Sequence, residues 1–368
     1  MSWLFYLAAI PVFAVIVLIH EFGHFITAKW AGIRVEEFGI GFPPRAIGIR
    51  RGETIYSINW LPLGGFVRMA GENGELTDAQ GTSDPRSFAA KPASKRLIVL
   101  VAGVTMNLLL AVALFSVAAA VGQPEDPAPK PAVLGTIESG SPAAQAGLRA
   151  GDHVVAVDGH AVKNWGEFVA AVTSATQQAP SGASKTPVTL EITHAGSSQP
   201  ITVVAQARVH PGPNEGRLGV MPHYVYSRVP LWQAPVVGVQ EVGVVVGGIF
   251  SAVQQVIRGV LPFQDAFQGP VGIVRATGQV ASTVPLVGWY YILFLTGALS
   301  VSLAVVNILP IPALDGGRVL LILVEIARRG KRLSPAREGL INLVGITALL
   351  LLMVVITYSD VKGIFGGH

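Results

Sequence analysis

The chain has 368 residues, a net charge of +4 and no cysteine. It is 51% hydrophobic and 13% charged with mean hydropathy +0.54, against about 25% charged for a soluble protein, so it reads as a multi-span membrane protein. The missing cysteines exclude disulfides and thiolate ligands, leaving His, Asp or Glu for any metal, and the basic residues lie beside apolar runs, which gives no reason to expect nucleic acid.

Four stretches are long enough to cross a bilayer, which takes about 20 mainly apolar residues. The first, about Trp3 to Ala28 within residues 1–30, carries His20-Glu21-Phe22-Gly23-His24 near its end, with no charge from Met1 to Ile19. It lacks a basic leader and a small-x-small cleavage site, so it reads as a retained span and not a signal peptide. On a helix His20 and His24 share one face, a turn apart. That spacing lets two imidazoles reach one tetrahedral zinc, with Glu21 placed to take a proton from water at the metal. An ionisable side chain near hydrocarbon costs roughly 2.5–3.5 kcal/mol, so three together need a compensating partner. The plainer alternative sets them just past the membrane edge, facing headgroups.

Residues 31–91 form a membrane-associated β-loop region, too rich in Gly and Pro for long helices. Arg45 to Trp60 reads as two short alternating strands around a turn at Arg51-Gly52, carrying Ile47, Ile49, Ile55 and Ile58. Leu61 to Val67 continues apolar but broken. Non-helical backbone at membrane depth must be buried in protein or line a wet cavity. Such a hairpin can offer its edge to an extended peptide; a cytoplasmic loop with surface strands fits the composition equally.

The second span, Leu97 to Gly122 within 92–123, is uncharged and contains Asn107. Residues 128–208 mix strand and helix signals. Ser141 to Leu148 reads as a short helix with Pro in its first turn and Gly after its end. Gly151 to Gly159 reads as a strand and tight turn, and Trp165 to Thr176 as a helix with Phe168, Val169 and Val172 on one face. Val188 to His194 and Pro200 to Ala207 finish as strands. His153, His160, His194, His210 and His223 show no i, i+3 or i+4 pair and read as ordinary histidines.

Residues 209–285 read as a linker and an interfacial helix. The uncharged run Val242 to Ile257, taken as a fifth span, would carry Asp315 to the opposite membrane face from the His pair; Glu241 and Arg258 at its ends suit the interface. The third span, about Leu286 to Leu309 within 286–316, leads into Asn307-Ile-Leu-Pro310-Ile-Pro312-Ala-Leu-Asp315-Gly316-Gly317. The prolines break the helix and aim Asp315, a third ligand for a catalytic zinc; capping a helix that starts at Gly316 or Gly317 is its plainer role. Residues 317–339 read as a basic cytoplasmic connection and 340–358 as the fourth span. Ten Lys and Arg fall between Lys29 and Arg96, and six more are Arg318, Arg328, Arg329, Lys331, Arg332 and Arg337. Both groups are expected on the cytoplasmic side, with the termini and residues 124–235 outside.

Two resemblances follow. Ser139 through Gly159 is similar to a bacterial PDZ domain, with Val133-Leu134-Gly135-Thr136-Ile137 resembling its peptide-carboxylate loop and first groove strand. Such a domain either binds a peptide C-terminus by strand addition or serves as a spacer that filters by size. The combination of H-E-x-x-H, N-x-x-P-x-P-x-L-D-G and this insertion resembles the site-2 protease family of intramembrane zinc metalloproteases, of the PDZ-bearing bacterial type that cuts anti-sigma factors.

That resemblance implies a multi-span α-helical membrane protein with four transmembrane helices, a cytoplasmic-side β-hairpin and one α+β PDZ domain inserted between spans two and three. It implies His20, His24 and Asp315 as zinc ligands and Glu21 as general base. Ala102 to Asn107 resembles the family's Gly-Pro-x-x-Asn with Val104 in place of Pro, making Asn107 an amide donor to the substrate carbonyl or oxyanion; helix–helix glue is its alternative role. Gly39 to Pro44 resembles the start of a membrane-dipping β-loop, and Gly269-Pro270 a segment preceding span three that suggests a gate. The implied activity is hydrolysis within or near the transmembrane segment of single-span membrane proteins, anti-sigma factors or signal-peptide remnants, in a bacterial plasma (inner) membrane. The implied partners are these substrates, the lipid bilayer and a peptide C-terminus, with no nucleic acid. A membrane zinc carrier and a tethered PDZ scaffold are the competing classes.

Overall fold

The computed structural model describes residues 3–72, 84–180, 182–197, 199–211, 216–262, 266, 268–331 and 333–365; Arg332 of the basic connection lies outside them. The chain divides into two compact units, Met1–Val121 with Val229–His368, and Gly122–Arg228.

A single 3-10 stretch, Trp3–Ala8, leads into α1, Ala9–Trp30. A ribbon follows, β1 Val35–Arg51 and β2 Thr54–Met69, and then α2, Ala93–Val121. The ribbon is longer than the two short strands expected, because its glycines sit where the chain bulges and folds back on itself. Residues 37–40 partner both 65–68 and 55–58, and 55–58 also partner 47–50. At its base Ile33, Val35, Val67 and Met69 pack with Ala28, Val99 and Leu100 in one apolar core. Away from that core Ile47, Ile49 and Ile58 are exposed. The fold-back is pinned by the buried Glu37 carboxylate, which accepts from Arg45 Nη2 at 2.7 Å and Ser57 Oγ at 2.7 Å. At the ribbon's turn Lys29 and Arg86 hydrogen-bond Glu53 and hold its carboxyl below the ordinary value of 4.5.

The second unit contains β3 Gln123–Pro124, β4 Leu134–Ile137, α3 Pro142–Gln145, β5 His153–Val157, β6 His160–Ala161, α4 Trp165–Gln177, β7 Lys185–Thr193, β8 Ile201–Arg208, β9 Val220–Pro222 and β10 Tyr226–Ser227. Its main sheet has the order β6-β5-β7-β8. Ser141 caps α3, with Pro142 opening the helix, as the Ser-Pro pair suggested. The compact unit is wider than 128–208, because the stretch read as linker completes it: Leu218 is buried in its core and β9 pairs with β4.

Returning to the first unit, α5 is Ala234–Ile257, α6 Pro270–Val287, α7 Tyr290–Ile308, α8 Asp315–Ala327 and α9 Pro335–Phe365. Among the described residues five helices are long and apolar enough to cross a membrane, one more than expected: α1 with its leading turn, α2, α5, α7 and α9. The added one is α5, expected as an interfacial helix. It is 24 residues, about 36 Å of continuous helix, and Glu241 lies inside it rather than at its end. Val242, Val245, Val246 and Ile249 pack on Ala111 and Phe115 of α2 and Val301 of α7. α5 qualifies by length and composition alone, and α6, at 18 residues, is not among the five. The basic connection is largely helical, since α8 occupies Asp315–Ala327 and α9 begins at Pro335.

Buried charge ties α8 to α2. Arg96 donates to both carboxylate oxygens of Glu325 at 2.7 and 2.8 Å, with both side chains largely buried. Removing one partner leaves the other charge stranded, which costs about 3 kcal/mol. Glu325→Ala is therefore expected to lower the thermal midpoint in detergent.

Candidate active site

The site begins with helix periodicity. His20 and His24 stand on the buried face of α1. Opposite them α2 presents Val99, Gly103, Asn107 and Ala111, a stripe four residues apart and wholly buried. Two glycines let the helices meet closely. A Cβ on Gly23 would lie 2.5 Å from the Ala102 carbonyl oxygen, and one on Gly103 would lie 2.7 Å from His20 Cε1.

Asp315 arrives from far along the chain. α7 stops at Ile308, ahead of Pro310 and Pro312, and Asp315 opens α8. The turn between them is tight: Ala313 has φ +77, and a Cβ on Gly317 would sit 2.8 Å from the Ile311 carbonyl carbon. Only glycine at 316 and 317 lets the chain double back so closely. Asp315 is the first residue of that helix, not its cap, which is Leu314.

The three side chains converge. His20 Nε2 lies 3.1 Å and His24 Nε2 3.2 Å from Asp315 Oδ2, and the two Nε2 atoms are 3.2 Å apart. Three ligands at about 2.0–2.1 Å from a tetrahedral zinc stand roughly 3.3 Å from one another. The triangle therefore fits that ion, and its two nitrogens and one oxygen suit zinc with a fourth position left for water or substrate. Among the described residues these three form the group of His, Asp and Glu side chains able to hold a metal.

Glu21 stands one residue on from His20, with His24, His20, Asp315 and Glu72 as charged neighbours. The ribbon meets it through glycine: a Cβ on Gly65 would lie 3.7 Å from Glu21 Cγ. Phe25 of α1 holds the ribbon in place by packing on Phe38 and Tyr56, with ring centroids 5.0 and 6.0 Å away. Asn107 is fully buried, with Nδ2 3.3 Å from His20 Nδ1.

Other expectations fare differently. Ile47, Ile49, Ile55 and Ile58 lie in the part of the ribbon beyond its packed base, with Ile47 opposite Ile58. Val133, Leu134 and Gly135 belong to the second unit, and the free strand edge expected there is absent. Leu134 is in the core, β9 covers one side of β4, and on the other Leu134 N donates to Asp152 O at 2.8 Å. An added Cβ on Gly135 would strike Pro222. Instead the open groove lies between α4 and the approach to β9, a cavity of about 300 Å³ lined by Phe168, Val169 and Val172 and by Arg217 to Val220.

Sequence reasoning gave no role to Asn307, whose Nδ2 is 3.4 Å from His20 Nε2. As the only side-chain amide in the third span it was detectable by polarity alone. It also missed the pair of Arg318 with Glu72, which joins the first turn of α8 to the chain just after β2.

Comparison with known proteins agrees with this chemistry. Residues 8–352 match the model of peptidase family M50. The zinc metalloprotease RasP of Geobacillus kaustophilus is 31% identical, with 97% of each chain covered. RasP of Oceanobacillus iheyensis is 30% identical over 97% of this chain and 99% of that one. The regulator of sigma-W protease RasP of Bacillus subtilis is 27% identical, with 98% of each covered. A metal triangle on apolar helices, matched along nearly the whole chain, makes this a membrane-embedded zinc metalloprotease belonging to peptidase family M50, the site-2 protease family.

Proposed function

We propose that this enzyme cuts peptide bonds within or beside the transmembrane segment of single-span membrane proteins, with anti-sigma factors and signal-peptide remnants as the substrate class. The observation that carries the reading is the location of the donors. His20 and His24 lie on Leu4–Trp30, and Asn107 lies midway along Ala93–Val121, both able to cross a membrane. A scissile bond has to reach them there.

In this reading His20, His24 and Asp315 hold the zinc. Zinc bound there supplies Lewis acidity, polarising a carbonyl and bringing the pKa of water toward ~7. Glu21 accepts the proton of the attacking water and hands it to the leaving amine. A membrane helix has every backbone group bonded, so the substrate unwinds before attack. The stretch Arg45–Arg51 receives it: among the described residues its recorded strand partners are Thr54–Asn59 alone, leaving the other edge for an extended peptide. Ile47, Ile49 and Ile58, exposed on one face, then grip its side chains, while Ile55, opposite Arg50, lies on the other face.

Tertiary contacts support the membrane orientation. Arg96 meets Glu325, so the basic start of α2 and the basic end of α8 lie at one end of the bundle, which favours the cytoplasmic side. The active site then opens toward the cytoplasm of a bacterial plasma membrane, with residues 124–235 outside. The second unit acts as a PDZ domain, taking an apolar peptide C-terminus in the groove between α4 and Arg217–Val220. Val169 is an exposed wall of that groove, so Val169→Glu is expected to weaken a fluorescent apolar-ended peptide about tenfold by anisotropy without unfolding the chain. An unchanged affinity removes the groove from the reading.

The test of the reaction is purified enzyme in proteoliposomes with a single-span peptide and a soluble peptide of the same cut sequence. Zinc-dependent cleavage inside the span, read by mass spectrometry, is expected. Cleavage of the soluble peptide alone refutes the intramembrane assignment.

A further inference from the structure

The His pair raises a question about protons that the ligand triangle leaves open. Both Nε2 atoms face Asp315, so each ring that ligates through Nε2 as a neutral imidazole carries its hydrogen on Nδ1. That hydrogen needs an acceptor in a buried setting. For His24 the acceptor is plain, the Val99 carbonyl oxygen at 2.8 Å. For His20 the contact is the Asn107 side-chain amide at 3.3 Å. An amide nitrogen donates only, and two donors facing each other repel. The amide's two ends are nearly the same shape and exchange by a half-turn about Cβ–Cγ. With His20 protonated at Nδ1, Oδ1 takes the contact.

We infer that Asn107 is a positioning residue for the metal centre, whose Oδ1 accepts the His20 Nδ1 hydrogen and holds that ring in the zinc-binding tautomer. α2 thus serves both ligands from one stripe: Val99 orients His24, Asn107 orients His20, and Gly103 between them leaves room for the two rings. Asn107 is itself held from behind, where Ser300 Oγ of α7 donates to its backbone oxygen at 2.8 Å. With Oδ1 turned to His20, Nδ2 takes the place that Oδ1 now holds, where no hydrogen-bond partner lies among the described residues. The amide that faces the metal side of the ring is Asn307, 3.4 Å from His20 Nε2. Once that nitrogen is given to a metal, the Asn307 N–H groups are free to donate to a substrate oxygen.

The inference rests on His20, His24 and Asp315 being the zinc ligands, so its test separates the two. Full-length enzyme in detergent is equilibrated against zinc–chelator buffers, and bound zinc per chain is measured without substrate. One zinc per wild-type chain, lost in Asp315→Ala, checks the ligand set alone. Asn107→Leu, which keeps the size and removes the acceptor, is expected to weaken zinc about 10–100-fold, the usual effect of losing a metal ligand's hydrogen-bond partner. Asn107→Asp restores an acceptor and is expected to bind zinc at least as tightly as wild type and to keep turnover. Asn307→Leu is expected to keep its zinc and lose kcat. Wild-type zinc affinity in Asn107→Leu, with turnover lost in Asn107→Asp, returns Asn107 to the donor role and overturns the inference. Should Asn107→Leu fail to fold, Asn107→Asp decides: a folded Asp variant that binds zinc markedly more weakly than wild type also overturns it.

Discussion

Glu21→Gln is expected to retain one zinc per chain while losing cleavage by about 10²–10⁴-fold, the usual share of a general base. Glutamine has the shape of glutamate but no basic oxygen, so the change removes one proton transfer and little else. The residue is suited to such a clean test. It does not belong to the triangle, whose edges run between His20, His24 and Asp315, and the ribbon approaches it through the bare backbone of Gly65. The measurement is initial rate on a single-span peptide in proteoliposomes beside zinc content of the same preparation. Near-wild-type turnover with full zinc would remove Glu21 as the base. Loss of zinc together with activity would instead show that the carboxylate supports the metal.

The second large effect is expected at a residue with no chemistry of its own. Gly103→Ala places a methyl 2.7 Å from His20 Cε1 and 2.8 Å from His20 Nε2, and closer still to His24 Nε2. Something has to move, and little can. His24 is tethered to the Val99 carbonyl, His20 contacts Asn107, and α1 already touches the Ala102 backbone at Gly23. Disturbing what orients a metal ligand commonly costs about 10–100-fold in metal affinity, so zinc affinity is expected to fall by that order. Gly243→Ala is the control, because a Cβ at that point of α5 meets nothing within 4 Å. Chelator competition on both variants separates a steric effect at the metal from a general cost of filling helix glycines. Equal zinc binding in Gly103→Ala and wild type would mean that the rings do not lie against α2 as described.

Not all of this was hidden in three dimensions. The His pair was readable because a spacing of four residues is itself a statement about one helix face, and α1 carries both histidines on its buried side. The apolar spans, the ribbon turn near Arg51-Gly52 and α4 were readable for the same reason: composition and short-range period set each one. The errors came where a distant segment supplied the missing neighbour. β4 looked like an open edge because nothing near Leu134 in the chain announces that Val220–Pro222 returns to cover it. The packing of α5 was hidden in the same way, because its partners Phe115 and Val301 lie on other helices.

Residue spacing and hydropathy alone establish a membrane-embedded chain with an H-E-x-x-H helix and an acidic turn after a proline break, since each depends on neighbours within a few residues. The folded chain decides the rest. It brings Asp315 Oδ2 to within 3.2 Å of two imidazoles, gives Val99 and Asn107 to their outer nitrogens, and chooses which strand edge stays open. Those outcomes hang on close approaches permitted by Gly23, Gly103, Gly316 and Gly317, and an approach between distant segments leaves no periodic trace in the order of residues.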